Sequence, residues 1–128
     1  MPYQHIQGGW YINVNTCIWM RSKWERNYSA YLDWLKDIGE IQDWAYEPDE
    51  FEFPIKRGTR FYKPDFKITN NNDGSIEYHE VKGHWTQKAT TQVKRFRKYY
   101  PELKLVIIGK DEYKAIAEKS ALIPGWEE

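Results

Sequence analysis

A chain of 128 residues is one ordinary domain, long enough to bury a real core, and its 19 basic and 19 acidic side chains cancel. Neutrality excludes a globally cationic nucleic-acid binder, so any contact with DNA has to come from a local patch. A single cysteine, Cys17, excludes an internal disulfide, and with only three dispersed histidines there is no zinc-ligand spacing.

No apolar run approaches the roughly 20 residues that span a membrane, and the N terminus lacks the basic-then-apolar layout of a secretion signal. A soluble, cytoplasmic chain is expected (host cytoplasm if virus-encoded). Seven Trp, ten Tyr and five Phe make it aromatic-rich, and most of these rings are expected in the core.

Residues 1–20 read as an N-terminal extension of a single domain. Gly8-Gly9 predicts a turn, Trp10–Val14 a short strand, and Cys17–Met20 a second apolar patch. This segment either packs on a sheet edge or exchanges between subunits. Ser22–Asp37 predicts a helix, with Trp24, Tyr28, Tyr31, Leu32 and Leu35 as its apolar stripe, Ser22 as N-cap and Gly39 just past its end. Glu25 follows Ser22 by three, the spacing of a capping box in which the glutamate bonds back to the N-cap N–H. It also stands at the border of the buried stripe, where it can lean toward a sheet.

Ile41–Tyr46 predicts a short strand and Glu47-Pro48-Asp49-Glu50 an acidic turn. Phe51, Phe53 and Ile55 alternate with Glu52, Pro54 and Lys56, a strand that Pro54 restricts to an edge or a bulge. Lys56-Arg57-Gly58-Thr59-Arg60 is a basic turn, either a solvated loop or a phosphate contact.

The stretch Tyr62–Gly83 carries the strongest chemical signal. Two alternating runs flank Asn70-Asn71-Asn72-Asp73-Gly74, which predicts a β-hairpin with a loop of several residues. Period two puts Asp65 on one face with Phe61, Lys63 and Lys67, and Glu80 with Ile76, Tyr78 and Lys82. Pairing of Asp65 with Glu80 or with Lys82 leaves all three on the same side, with opposed side chains roughly 5 Å apart. Two carboxylates that close repel each other unless a cation lies between them, and a hard divalent ion takes one or two carboxylates plus water. A lysine beside that ion orients water or neutralises a phosphate, which assembles the parts for metal-assisted phosphodiester hydrolysis. The same charges also suit a hairpin face turned to water.

After Gly83, His84-Trp85-Thr86 leads into a helix over about Gln87–Tyr100, with Val93, Phe96 and Tyr100 on its buried side. Lys88, Lys94, Arg95, Arg97 and Lys98 cover the rest with no acidic residue among them, either a solvated face or a DNA-backbone contact. Leu103–Ile108 predicts a central strand, reached through that helix and so able to run parallel to its neighbour. Asp111 is the expected cap of a helix to about Lys119, with Tyr113, Ile116 and Ala117 inward, and Pro124-Gly125-Trp126 is expected to fold back over the sheet.

Pro64-Asp65 followed by Glu80-Val81-Lys82 resembles the PD-(D/E)XK nuclease superfamily. With Gly83-His84-Trp85, the basic helix, Tyr100–Ile107 and the late Leu122-Ile123-Pro124-Gly125-Trp126, the order and spacing are similar to the endonuclease I family of phage T-seven, over roughly residues 22–126. The resemblance implies an α/β fold, a restriction-endonuclease-like mixed central sheet flanked by helices. It implies a DNA endonuclease dependent on Mg²⁺, with Mn²⁺ substituting and one or two ions per site. Asp65 and Glu80 would bind the metal with the Val81 carbonyl, Glu25 would assist, and Lys82 would act on the attacking water or the phosphate. Arg57, Arg60, Lys63, His84, Lys88, Lys94, Arg95, Arg97 and Lys98 are the candidate DNA contacts. It further implies a homodimer acting on branched DNA such as Holliday junctions. The alternatives are a nuclease of the same fold that nicks or degrades duplex DNA, a non-catalytic DNA-binding module, and a structural or protein-interaction protein.

Overall fold

The computed structural model describes residues 5–6 and 9–127. The chain opens on a small antiparallel meander, β1 (His5–Ile6), β2 (Trp10–Asn13) and β3 (Ile18–Met20). Gly8 lies outside the described residues, while Gly9 takes φ +89° in the expected turn. Helix α1 (Lys23–Asp37) follows, with Ser22 in extended backbone as its N-cap. Its expected stripe is buried or half-buried, yet Arg26, Asn27, Ser29 and Ala30 are buried as well. The meander explains this: Asn13 Nδ2 donates to Ser29 Oγ at 2.7 Å and to Asp33 Oδ2 at 2.9 Å, so β2 covers a second side of the helix.

The central sheet holds four strands in the order β4 (Ile41–Tyr46), β7 (Phe66–Asn70), β8 (Ile76–Val81) and β9 (Lys104–Ile108). The first three run antiparallel and β9 runs parallel to β8, so the sheet is mixed. Helix α2 (Gln87–Tyr99) makes the crossover from β8 to β9. The parallel pairing is as expected, but β9 is an edge strand and not a central one. Its burial agrees, since only Leu105 and Ile108 are buried while Val106 and Ile107 are half-covered.

The two sheet faces carry separate cores. Phe66, Ile68, Val81 and Ile108 meet Tyr28 and Leu32 of α1, and Tyr78 and Leu105 meet Val93 and Phe96 of α2. The second core is closed by a two-stranded ladder of β5 (Phe51–Glu52) and β6 (Phe61–Tyr62). Here the sequence reading needs two corrections. The strand expected over Phe51–Ile55 stops after two residues, because Pro54 has no N–H for the ladder. Tyr62 belongs to that ladder and not to the hairpin, whose first arm starts at Phe66, since Pro64 interrupts the pairing in the same way. The fold is a mixed α/β sheet with helices on both faces.

Two further corrections concern the C-terminal part. Helix α3 (Lys110–Ala117) is capped at Gly109, and Asp111 falls in its first turn beside Glu112. The Glu112 carboxylate accepts the Gly109 N–H at 2.9 Å, which sets the cap two residues earlier than Asp111. The tail packs on α3 and on the turn between β2 and β3 instead of the central sheet: Trp126 lies 5.5 Å from Tyr113 between ring centroids, and Asn15 Nδ2 donates to the Pro124 carbonyl. Among the described residues no helix is long and apolar enough to cross a membrane.

Candidate active site

The register of β7 and β8, Phe66 with His79 and Lys67 with Tyr78, places Asp65 opposite Glu80 when continued by one step. Of the two pairings the sequence allows, this is the one the register matches. Phe66 and His79 turn to the α1 side, and Asp65 and Glu80 therefore share the opposite face. Both are buried, at 5% and 3% exposure. Their bonds interlock: Asp65 Oδ2 accepts the Val81 N–H at 2.8 Å, and Glu80 Oε1 accepts the Asp65 N–H at 3.1 Å. Tyr62 Oη donates to the same Glu80 oxygen at 2.8 Å, and Lys82 Nζ lies 2.9 Å from Glu80 Oε2.

Glu25 reaches this cluster from the first turn of α1. Ser22 Oγ accepts the Glu25 N–H at 3.0 Å, which is one half of a capping box. The Glu25 side chain instead accepts from Tyr46 Oη at 2.6 Å and turns to the sheet. Glu25, Tyr62, Asp65, Glu80 and Lys82 line a polar cleft of about 350 Å³, with Arg21, Glu50, Lys63, Lys88 and Gln92 among its other walls.

Electrostatics in the cleft follow from burial. Desolvation pushes the Asp65 carboxyl well above its ordinary value, and the charges of Glu80 and Glu25 push it further, against the Val81 N–H and Lys82. Burial likewise raises Glu25, with the Tyr46 hydroxyl and Arg21 opposing. Burial alone would lower the Lys82 ammonium, but Glu80, then Asp65 and Glu25, outweigh it and hold it above its usual value.

These groups fit a hard cation in chemistry, since two hydrogen-bonded carboxylates forced together out of water are relieved by positive charge. They do not form a closed cage. Among the described residues no group of three or more His, Cys, Asp or Glu side chains is gathered to hold a metal ion. Lys82 also occupies one Glu80 oxygen, so an ion would take Asp65 and Glu80 with water filling its remaining positions.

Of the expected site residues, Glu25, Asp65, Glu80, Lys82, Lys63 and Lys88 come together in this cleft. Val81 puts its side chain in the core and its N–H on Asp65. The other cations lie outside the cleft lining. Arg60 pairs with Glu52, Arg95 donates to the Thr59 carbonyl, Arg97 donates to the Leu105 carbonyl, and Lys98 sits over the Tyr99 ring. Arg57, His84 and Lys94 are exposed. The sequence reading missed Arg21, Tyr46, Tyr62 and Gln92. Gln92 was within reach, since it stands one helical turn after Lys88; the tyrosines had no local signal, because they arrive from other strands.

No curated protein and no solved structure matches the chain. A family model does match, over residues 11–115, from β2 to the middle of α3 and across every acidic group of the cleft. The chain thus belongs to the family described as "Protein of unknown function (DUF1064)".

Proposed function

We propose that the chain is a metal-dependent DNA endonuclease of the PD-(D/E)XK type, hydrolysing phosphodiester bonds with a preference for branched DNA. The observation that carries the reading is the meeting of Asp65, Glu80 and Lys82 in one polar cleft, with Asp65 and Glu80 buried on the same sheet face. Asp65 and Glu80 would hold Mg²⁺, with Mn²⁺ as a substitute. When bound, such an ion supplies Lewis-acid polarisation of a phosphate oxygen and a more acidic water. Lys82 keeps its proton near neutrality and stabilises the charge that grows on the phosphate. Glu25, raised by burial, takes up a proton from an attacking water more readily than an exposed carboxylate would. Lys63 and Lys88 offer exposed ammonium groups to the flanking phosphates at the rim. A dimer would serve two strands of a junction, and the preference for branched DNA rests on the family resemblance alone.

A second reading, a DNA-binding module without catalysis, draws on one observation. Lys82 already neutralises Glu80, which lowers the demand for an ion. One experiment separates the two: cleavage of a labelled four-way junction, a supercoiled plasmid and a linear duplex in competition, with and without Mg²⁺, beside Lys82→Ala and Glu80→Ala. The nuclease reading expects Mg²⁺-dependent cutting that both variants lose, with the junction cut first. Cutting that survives Glu80→Ala is contamination and leaves the binding module; preference for linear duplex removes the junction claim.

A further inference from the structure

We infer that the groove between Trp85 and the outer flank of α2 is a subsite for an unpaired nucleobase of the DNA strand that enters the acidic cleft. The inference rests on the nuclease reading and extends it to the form of the substrate.

The groove is a cavity of about 440 Å³ lined by Trp85, Thr90, Val93, Lys94 and Arg97. Its volume falls within the roughly 300–1,000 Å³ of sites that take small organic groups. Thr90, Val93, Lys94 and Arg97 stand at helical spacing and form one stripe of α2, with Val93 as the buried floor. Lys88 and Gln92 stand one turn apart on another stripe and line the acidic cleft. A single helix therefore walls both cavities.

Trp85 is the unusual member. The residue is 43% exposed in a chain whose other rings mostly form two closed cores. Among the described residues no ring stacks on it and no group accepts its N–H. A large aromatic this exposed beside two cations matches the makeup of a stacking platform, in which a ring takes the base and lysine or arginine takes the phosphate. Lys94 forms no ion pair among the described residues, and Arg97 directs one Nη2 bond to the Leu105 carbonyl from an otherwise exposed side chain. No acidic residue occurs anywhere in α2 to oppose a phosphate.

Chain connectivity ties the groove to the chemistry. Trp85 follows Lys82 by three residues, so their Cα atoms are at most about 11 Å apart. One strand can thus touch both. Base-paired DNA keeps its bases stacked inside the duplex, and only an extruded or single-stranded base offers Trp85 a face. Flapped or gapped DNA supplies such a base in its single-stranded part.

The test is binding without catalysis, in EDTA, of a short oligothymidylate carrying one 2-aminopurine and of the corresponding duplex. Stacking quenches the probe and anisotropy gives the affinity. The wild-type chain is expected to quench the single strand; Trp85→Ala weakens single-strand binding by roughly 5- to 100-fold, while Trp85→Phe keeps most of it. Duplex affinity stays within about twofold in both variants, since phosphate contacts dominate it. Circular dichroism and a thermal melt confirm folding, which an exposed side chain leaves intact. Equal loss for single strand and duplex in Trp85→Ala, an unchanged affinity, or no single-strand binding by the wild type overturns the subsite. Mg²⁺-dependent cleavage is scored separately: quenching without cleavage sinks only the hydrolytic reading, and cleavage without quenching sinks only the subsite.

Discussion

Glu80 Oε1 accepts the backbone N–H of Asp65 at 3.1 Å, so the residue that delivers one buried carboxylate is also the anchor of the other. The consequence is a pair that cannot move apart. Asp65 carries the cost as a raised pKa, from burial first and from Glu80 and Glu25 next. A carboxyl raised in the folded state favours folding fully below its unfolded value, about 3.9. That contribution is lost as pH rises through the folded value. Asp65→Asn keeps an oxygen for the Val81 N–H and removes the charge. In EDTA at pH 7 it is expected to melt about 3–6 °C above the wild type, the effect of ~1 kcal/mol in a chain of this size. The gap should close toward about pH 4. Saturating Mg²⁺ should raise the wild type and leave Asp65→Asn unmoved. A lower melting point for Asp65→Asn in EDTA contradicts the picture.

Lys82 follows the same sign in a far more alkaline window, so its contribution is still present at pH 7. Burial depresses its ammonium, Glu80 more than restores it, and the group stays charged at neutral pH. Its contribution to stability is complete below the unfolded value, about 10.4, and disappears as pH rises through the higher folded value. Melts of wild type and Lys82→Ala should therefore differ at pH 7 and converge only in strong alkali. On activity, Lys82→Ala is expected to lose about a hundred- to a thousandfold in turnover while Mg²⁺ binding, followed by calorimetry, is retained or tightened. Weaker Mg²⁺ binding would show that the lysine organises the ligands and not the phosphate.

Much of this arrangement was legible because it is local. The turn cluster Asn70–Gly74 and the alternation on either side fix the hairpin, and period two then puts Asp65 and Glu80 on one face whichever register forms. Prolines misled where their effect was underestimated. Pro54 and Pro64 each end a ladder, which moved Tyr62 out of the hairpin into the β5–β6 pair and from there onto Glu80. The edge position of β9 was illegible, since a continuous apolar run such as Leu105–Ile108 fits a strand covered by helices on its two faces as well as a central one. Tyr46 and Arg21 joined the site through tertiary approach, for which neither spacing nor composition gives a signal.

Ser22 and Glu25 separate a structural role from a chemical one within a single turn. Ser22 Oγ holds the Glu25 N–H, and the Glu25 carboxylate points to Tyr46. Ser22→Ala is expected to cost about 1 kcal/mol in urea unfolding and to leave cleavage per folded molecule near the wild-type rate. Glu25→Gln should keep the Tyr46 contact, change stability little, and lower cleavage, with the acid limb of its pH profile displaced. Equal cleavage by Glu25→Gln and wild type would return Glu25 to a helix-start residue.

Gly83 is the junction between the site strand and the loop to α2, and its constraint is spatial, since its backbone conformation is not left-handed. A Cβ there would lie 3.0 Å from Cζ3 and 3.2 Å from Cε3 of Trp24. Trp24 cannot recoil freely, because its indole stacks on Tyr113 at 4.0 Å and Tyr113 in turn meets Trp126. Gly83→Ala is therefore expected to destabilise by about 1–3 kcal/mol through overpacking. It should also slow cleavage, because the displaced backbone carries Lys82 as its preceding residue. A double-mutant cycle with Trp24→Leu isolates the cause: with the indole gone, Gly83→Ala should cost less by at least about 0.5 kcal/mol. Gly74→Ala is the contrast, for its φ of +70° meets open space and its cost is backbone strain of about 1 kcal/mol that no change at Trp24 relieves. Strict additivity between Gly83→Ala and Trp24→Leu would mean that the indole does not set the limit on that loop.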